Sequence, residues 1–337
     1  MAGSARRLWM GLAGVAISVA ALWWALADVN WHEVRTHVSE AAIVPLVAAV
    51  VVATSTFVLR LVRWRLLLRR EDGSALPVQP LWHAVAIGFM ANNILPFRMG
   101  EVMRCLTVTR LAPVRFTASL SSVAVERVFD GLTVVALLVF SLFAAGLPAG
   151  VEVGGVPVTH TATIGGLVMG AALLAALAVV AFPAFAERVI VRMIPSERLA
   201  QKLVRIVEGL RHGLSVLKSP GRVVAVVGWS LVLWLVNALS FYLAFLAFGI
   251  EANFAAALLL QGVLVFGIAV PTTPGYVGVF EGAIKAVLLV FGVGADHAVA
   301  YALTYHVTTF IPIVLLGAWS LFSTSISLQE IREVSPP

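Results

Sequence analysis

Ionisable residues interrupt apolar sequence in the first half of the chain, where Arg98, Glu101 and Arg104 follow Pro96. A charged side chain at membrane depth costs about 2.5–3.5 kcal/mol on insertion scales, so it faces a partner or a wet cavity. Glu101 can pair with Arg98 or Arg104, which leaves one guanidinium free. The planar donor fork of a free arginine suits a phosphate, although Arg104 can instead extend to the membrane interface. We predict that Arg98 or Arg104 binds an anionic head group beside Glu101.

A second charged cluster, formed by Glu126, Arg127 and Asp130, begins the next apolar run. Glu126 and Asp130 are four residues apart and therefore share one helix face, with Arg127 beside them. We interpret the cluster first as salt bridges that tie this helix to the segment around Arg104. Direct contact with a substrate is the second interpretation.

The second half of the chain offers a carboxylate and a histidine. Glu281 and Lys285 form an i,i+4 pair in the favourable orientation. Because Glu281 follows a glycine-rich break, we predict that it binds a proton or a head group. Tyr305 and His306 lie in the last apolar run. A lone histidine usually has a structural role, but an imidazole here can titrate near neutrality.

Two proline- and glycine-broken segments recur at matching positions in the two halves. They are NNILPFRMGEVMR at 92–104 and PTTPGYVGVFEG at 271–282. At a shift of 178 residues, Pro96 falls on Pro274 and Gly100 on Gly278. Broken hydrophobic segments in corresponding positions of two halves indicate a transporter substrate site. We expect Asn93 and the preceding asparagine to cap the broken backbone of the first segment.

The composition places the chain in a bilayer. It is 61% hydrophobic and 12% charged, with a mean hydropathy of +0.99, whereas soluble domains are about 25% charged. The single cysteine, Cys105, excludes an intramolecular disulfide, and we find no motif for a metal, a cofactor or a known catalytic site. The net charge of +6 reflects membrane orientation and does not indicate nucleic-acid binding.

Apolar runs long enough to cross about 30 Å of hydrocarbon predict six spans. They occupy about 8–27, 41–61, 125–147, 161–185, 223–249 and 298–322. We read the first as a retained helix and not as a signal peptide. Basic residues precede the first run, follow the second and fill 186–222, while the opposite loops nearly lack them. This asymmetry predicts that both termini are cytoplasmic.

Two further apolar regions predict re-entrant hairpins, 81–115 entering from the cytoplasmic side and 254–293 from the outer side. The fold class is therefore an all-α polytopic membrane protein, with two hairpins and an inverted repeat of two halves. The halves are 1–152 and 153–325, followed by a short cytoplasmic tail, 326–337. Leucines spaced along 196–217 predict an amphipathic helix on the cytoplasmic face, or an ordinary connector.

The motifs resemble the transmembrane region of lysylphosphatidylglycerol synthases over about 8–325. The similar segments are 93–104 (N-x-L-P-x-R-x-G-E-x-x-R), ERVFD at 126–130, 274–282 (P-G-x-x-G-x-x-E-G) and Tyr305. The positions that match the family motif are Pro96, Arg98, Gly100, Glu101, Arg104, Glu126, Arg127, Asp130, Pro274, Gly275, Gly278, Glu281 and Gly282.

This resemblance implies movement of a lipid or lipid-linked head group between the leaflets of a prokaryotic cytoplasmic membrane. Phospholipid, polyprenyl-linked and hopanoid lipids are the substrate types it implies. Aminoacyl transfer is not expected, because the sequence lacks the soluble synthase domain of the fused family members.

We therefore hypothesise a flippase or facilitator in which Arg98 and Arg104 hold a lipid phosphate and Glu101 and Glu281 balance the charge. We expect no cofactor, and transport that is passive or coupled to an ion gradient. Two alternatives remain. One is an intramembrane enzyme that acts on a lipid phosphate or glycan donor. The other is a membrane scaffold that binds a soluble cytoplasmic transferase on the basic 186–222 segment.

Overall fold

The described part of the chain is mainly helical, which confirms the predicted all-α class. The computed structural model describes residues 2–95, 99–147, 152–153, 156–182, 184–185, 187–188, 192, 201, 220–269 and 273–324. Within these ranges the helices are α1 (Ala2–Leu26), α2 (Trp31–Glu40), α3 (Ile43–Leu67), α4 (Val78–Ile94), α5 (Gly100–Leu111), α6 (Phe116–Ala144), α7 (Val158–Ala181), α8 (Pro220–Ala247), α9 (Phe254–Ala269), α10 (Val279–Val290) and α11 (Ala295–Phe322). A 3-10 turn, Pro274–Tyr276, lies between α9 and α10. Two-residue strands, β1 (Glu152–Val153) and β2 (Val156–Pro157), pair antiparallel before α7.

Four described helices, α3, α6, α8 and α11, are long and apolar enough to cross a membrane. They contain 25 to 29 residues, and at 1.5 Å per residue their lengths of about 37–44 Å exceed the hydrocarbon thickness of about 30 Å. The pair Gly14–Leu26 and Trp31–Glu40 is bent by 83° and counts as a fifth span if it crosses as one unit. The described residues thus contain four to five candidate spans, and six spans stays a prediction.

Helix α3 extends further than its apolar run predicted. Arg60 and Arg63 were expected to follow the second span as loop charges, but α3 continues through both of them to Leu67. Arginine is a good helix former, and Trp64 and Leu67 beside them are buried in the core. Both arginines are also buried. The apolar run therefore underestimates the length of α3.

Helices α4 and α5 form a tight helical pair, and Gly100 and Gly88 allow their close approach. A Cβ atom on Gly100 would lie 1.9 Å from the Gly88 carbonyl oxygen, far inside van der Waals contact. The Asn92 side chain accepts the Gly100 N–H at 2.8 Å, so Asn92 satisfies a donor at the start of α5. Helices α9 and α10 also pack against each other, on either side of the 3-10 turn.

The core of the described structure includes two main apolar clusters, and the packed helices α3 and α8 contribute opposite ends to each. One is built around Phe57, Trp64 and Leu81, and the other around Phe245 and Tyr301. Many large apolar side chains are exposed on the outer surfaces of the helices, as expected for surfaces that contact lipid.

Several predictions from the sequence fall on residues outside the described ranges. The amphipathic helix at 196–217 lies there, apart from Gln201, and so does the tail, 326–337. Pro96 and Arg98 also lie outside the described residues. All of these stay predictions.

Candidate functional site

A cavity of about 400 Å³ lies among the helices, and parts of both broken segments line it. Helices α3, α6, α8 and α11 supply most of the remaining wall. Polar side chains that line it include Arg60, Glu101, Arg127, Asn237, Gln261 and His306. Since ionisable side chains at membrane depth usually mark a substrate or ion pathway, this cavity is the candidate functional site.

Glu126 is the centre of a buried ion network beside the cavity. Its side chain is fully buried, and both carboxylate oxygens accept from Arg104, at 2.8 and 3.0 Å. Nη2 of Arg63 lies 3.1 Å from Oε1 of Glu126, and Nη2 of Arg127 donates to the same oxygen at 2.8 Å. Three helices, α3, α5 and α6, are therefore connected through one carboxylate.

Asp130 extends this network to the cavity wall and to α8. It accepts hydrogen bonds from Arg63, and one of its oxygens lies 3.1 Å from Nη2 of Arg127. The Trp234 indole N–H donates to it at 2.9 Å, and Ser230 accepts from Arg63 at 3.0 Å. Charge-assisted bonds of this kind are strong when they are buried and mutually satisfied.

Arg104 binds Glu126 through both of its Nη atoms and therefore does not provide the free guanidinium expected from the sequence. Besides its bidentate bond to Glu126, its guanidinium lies 3.7 Å from the centre of the Trp64 ring. Glu101 does not pair with Arg104 but lies 3.7 Å from Nε of Arg127. The arrangement matches the first interpretation of the Glu126 cluster, in which salt bridges tie α6 to the preceding broken segment.

Glu281 lies behind the cavity wall and positions the second broken segment. Its Oε2 accepts the Gly278 N–H at 2.7 Å at the start of α10, and its Oε1 lies 2.6 Å from Nδ1 of His306. The His306 ring lines the cavity and stacks on Phe280 with a centroid distance of 4.1 Å. Glu281 thus holds the imidazole and the helix end in one geometry.

The predicted ion pair between Glu281 and Lys285 is wrong. The Lys285 ammonium instead donates to the backbone carbonyls of Trp24 and Ala25, at 3.2 and 2.9 Å. These carbonyls are near the end of α1, where the last four lack helical partners. Lys285 therefore docks α1 against α10, and Glu281 turns towards His306.

The remaining predicted residues line or shape the two broken segments. Asn93 and Tyr305 are on the cavity wall, and the Tyr305 hydroxyl shares a hydrogen bond with Ser240. Pro274 begins the 3-10 turn, and Gly275 and Gly278 have φ values of +70° and +91°. Gly282 packs close to Ala21 of α1.

Sequence reasoning missed Arg60 and the amides Asn237 and Gln261 as cavity residues. The three-residue spacing of Arg60 and Arg63 was a usable signal, because it places both on one face of a helix. Asn237 and Gln261 each stand alone in an apolar run, which is also unusual at membrane depth. No group of three or more His, Cys, Asp or Glu side chains able to hold a metal occurs in the part of the chain that is described.

The Glu281→Ala variant is expected to be less thermally stable than the parent. It loses the acceptor for the Gly278 N–H, and loss of a helix cap costs about 1 kcal/mol; it also leaves Nδ1 of His306 without its partner. Glu281→Gln retains an acceptor and should lose less. Unfolding of the detergent-purified proteins by intrinsic fluorescence measures the order, and an alanine variant as stable as the parent would contradict this role.

Fold and site together define a multi-pass helical membrane protein with a buried charged cavity. The chain belongs to the family of the lysylphosphatidylglycerol synthase TM region, which it matches over residues 11–317. It is 28% identical to the glycosyltransferase AglD of Haloferax volcanii over 96% of its own length and 56% of that protein. It is also 26% identical to a UPF0104 membrane protein of Methanothermobacter thermautotrophicus, over 74% of each chain. The chain therefore spans little more than half of the first of these relatives.

Proposed function

We propose that the protein moves a lipid with an anionic head group between the leaflets of a prokaryotic cytoplasmic membrane, with both termini in the cytoplasm. The cavity supports this proposal best, because it lies between the two broken segments and combines a charged wall with apolar surroundings. Such a cavity accommodates a polar head group while the acyl or prenyl chains stay in the surrounding lipid.

An inverted repeat is part of the proposal, and the helix boundaries support it. A shift of 178 residues moves helix α5 from Gly100–Leu111 to 278–289, and α10 spans Val279–Val290. The same shift moves α6 from Phe116–Ala144 to 294–322, and α11 spans Ala295–Phe322. The same shift brings α3 onto α8 and α4 onto α9, within three residues at every end. Four consecutive helices of the first half thus have counterparts of matching order and length.

The packing of these helices supports the same relation. Helix α4 packs on α11, and the counterpart pair, α9 and α6, is also packed. Helix α3 packs against its own counterpart, α8, as expected for elements next to a two-fold axis. Inverted repeats of this type place the substrate site where the halves meet, and rocking of the halves opens it to either side.

Re-entrant hairpins are the second structural part of the proposal. Helices α4 and α5 contain 17 and 12 residues, and α9 and α10 contain 16 and 12. At 1.5 Å per residue these arms are about 18–26 Å long, shorter than the hydrocarbon thickness of about 30 Å. Each pair therefore fits a segment that enters the membrane and returns to the same side.

Introducing a leucine at Gly131 tests the proposed route. Gly131 lines the cavity, and a Cβ atom there meets nothing within 4 Å, so the Gly131→Leu side chain should occupy the cavity without displacing a helix. Gly228→Leu is the matched control, because it adds the same side chain to an exposed position of α8 that also has no neighbour within 4 Å.

Leaflet exchange is measured in liposomes that contain fluorescent phospholipid or polyprenyl-phosphate probes, by dithionite quenching. We expect exchange by the parent and by Gly228→Leu, and a loss of at least about tenfold with Gly131→Leu, because the head group and the side chain compete for one volume. Equal exchange by all three proteins would show that lipid does not pass through this cavity. No exchange of any probe by the parent would contradict the proposed function itself.

A role in glycosyl transfer is the second candidate, favoured by the identity to a glycosyltransferase over 96% of the chain. The chain covers 56% of that relative, so the activity of the whole relative does not transfer directly. A membrane scaffold for a soluble transferase belongs to the same candidate. Incubation with a radiolabelled polyprenyl-linked sugar distinguishes it, because a chemically changed lipid product requires an enzyme, whereas transport leaves the lipid unchanged.

A further inference from the structure

Arg60 is a buried arginine in the cavity wall whose guanidinium makes no ion pair with a described carboxylate. The residue is 8% exposed and lines the cavity. Among the described residues it makes no salt bridge and no side-chain hydrogen bond; its contacts are with two aromatic rings. Its Cζ lies 4.6 Å from the centre of the Phe89 ring and 5.8 Å from that of Trp234. Aromatic faces attract a cation, but they leave its N–H donors available.

The carboxylates nearest to Arg60 in the described structure are already paired with other arginines. Arg63, Arg104 and Arg127 each bond to Glu126 or Asp130, and Glu101 lies beside Arg127. Within the described part of the network, four guanidinium groups face three carboxylates, which leaves one positive charge. A buried charge without a counterion is costly, so this site is arranged for a ligand that supplies one negative charge.

A pair of amides presents unused hydrogen-bonding groups to the same cavity. Nδ2 of Asn237 donates to Oε1 of Gln261 at 2.8 Å, and both residues line the cavity. Their only side-chain hydrogen bond in the described structure is this one, which leaves one carbonyl oxygen and one NH₂ group for a ligand. Asn237 lies on α8 three residues after Trp234, whose ring faces Arg60, so the amides and Arg60 belong to one cavity wall.

We infer that Arg60 binds the phosphate of a phosphodiester lipid and that the Asn237–Gln261 pair binds hydroxyl groups on the substituent of that phosphate. This inference rests on the proposed function and names its substrate class: a lipid phosphodiester whose head group carries neighbouring hydroxyls. A phosphodiester supplies one negative charge, whereas a phosphomonoester supplies up to two. Polyol head groups offer paired donors and acceptors, which match the free carbonyl and NH₂ groups of the amides.

Two lipid sources share this chemistry, namely phosphatidylglycerol and a hexose linked to a polyprenyl phosphate. Equilibrium binding of each lipid to the detergent-purified full chain shows which of the two is bound more tightly. Phosphatidylmethanol is the matched phosphodiester without hydroxyls, and phosphatidic acid is the matched monoester. The proteins are the parent, Arg60→Gln, Arg60→Lys, Asn237→Leu and, as a control, Arg115→Gln. Arg115 is 77% exposed and pairs with Glu71 at the surface.

We expect Arg60→Gln to weaken binding of the phosphodiester lipids at least about tenfold. Arg60→Lys should bind with an affinity between those of the parent and Arg60→Gln, because lysine keeps the positive charge but lacks the planar donor fork of the guanidinium. Asn237→Leu should abolish the preference of the parent for a hydroxylated head group over phosphatidylmethanol. Arg115→Gln should bind like the parent. Removal of an uncompensated buried charge should not lower the thermal stability of Arg60→Gln, so weak binding by a folded variant is interpretable.

Parent-like binding by Arg60→Gln, or tighter binding of phosphatidic acid than of any phosphodiester by the parent, would overturn the inference. A leaflet-exchange assay distinguishes failure of this inference from failure of the proposed transport function. Exchange that is equal in the parent and Arg60→Gln leaves transport intact and removes the role of Arg60. Arg60-dependent binding without any exchange supports the site and contradicts transport.

Discussion

Replacing Glu126 with glutamine should cause the largest loss of stability of any single substitution in the ion network. Glu126 is fully buried and contacts three guanidinium groups. Breaking one side of a buried ion pair costs about 3–5 kcal/mol, because the partner charges remain buried and uncompensated. Glutamine also directs an NH₂ donor at guanidinium donors. We expect a fall in apparent Tm of more than about 5 °C, measured by fluorescence in detergent.

Glu101→Gln is the matched control for this substitution. Glu101 also belongs to the network, but its side chain is 35% exposed and its one ion-pair contact in the described structure is the 3.7 Å approach to Arg127. Exposed pairs contribute roughly 0–1 kcal/mol, so the Tm of Glu101→Gln should stay close to that of the parent. Similar losses for both variants would show that the network does not depend on Glu126.

The sequence predicted the helices and the charged cluster better than it predicted the ligand-binding group. Charges within apolar runs are costly, so Arg104 and Glu126 were recognisable as residues that need partners. Which partner each one takes depends on how α5 and α6 pack, and spacing along the chain does not encode that. Arg104 could therefore be identified as a functional residue but not as one that Glu126 already satisfies.

Arg60 was missed because it stands at the end of an apolar run, where an arginine was interpreted as an orienting charge at the cytoplasmic surface. Beyond the run, α3 continues to Leu67, and Arg60 and Arg63 are both buried in the protein interior. For Glu281 the reverse occurred, since the i,i+4 spacing predicted Lys285 as its partner. Tertiary contacts with His306 and with the end of α1 compete for both side chains, and such contacts exceed the few tenths of a kcal/mol of an exposed helix pair.

The arginines that line the cavity in the described structure all belong to the first half of the proposed repeat. At the shift of 178 residues, Phe241 corresponds to Arg63 and Tyr305 to Arg127. Their rings pack at a centroid distance of 4.7 Å, so aromatic packing takes the position that ion pairs occupy in the other half. The phosphate of a lipid would therefore lie against arginines of the first half, while the amides Asn237 and Gln261 of the second half face the same cavity.

A methyl group at Gly100 should disrupt the site more than any other change of that size in the first broken segment. The new Cβ atom would lie 1.9 Å from the Gly88 carbonyl oxygen and 2.6 Å from Oδ1 of Asn92. Because both contacts involve the tightly packed α4, Gly100→Ala must separate α4 from α5. Overpacking of this kind costs about 1–3 kcal/mol or more, and Arg104, one turn further along α5, would shift away from Glu126.

We therefore expect Gly100→Ala to lose both thermal stability and leaflet exchange. Gly278→Ala should behave alike, since its φ is +91° and its Cβ would lie 2.1 Å from the Ser18 carbonyl oxygen. Gly228→Ala is the control, because it adds the same methyl group to α8 with no neighbour within 4 Å, and alanine is the better helix former. Tolerance of alanine at Gly100 would mean that α4 and α5 can move apart without cost. The fixed contact between Arg104 and Glu126 would then not be what positions the cavity wall.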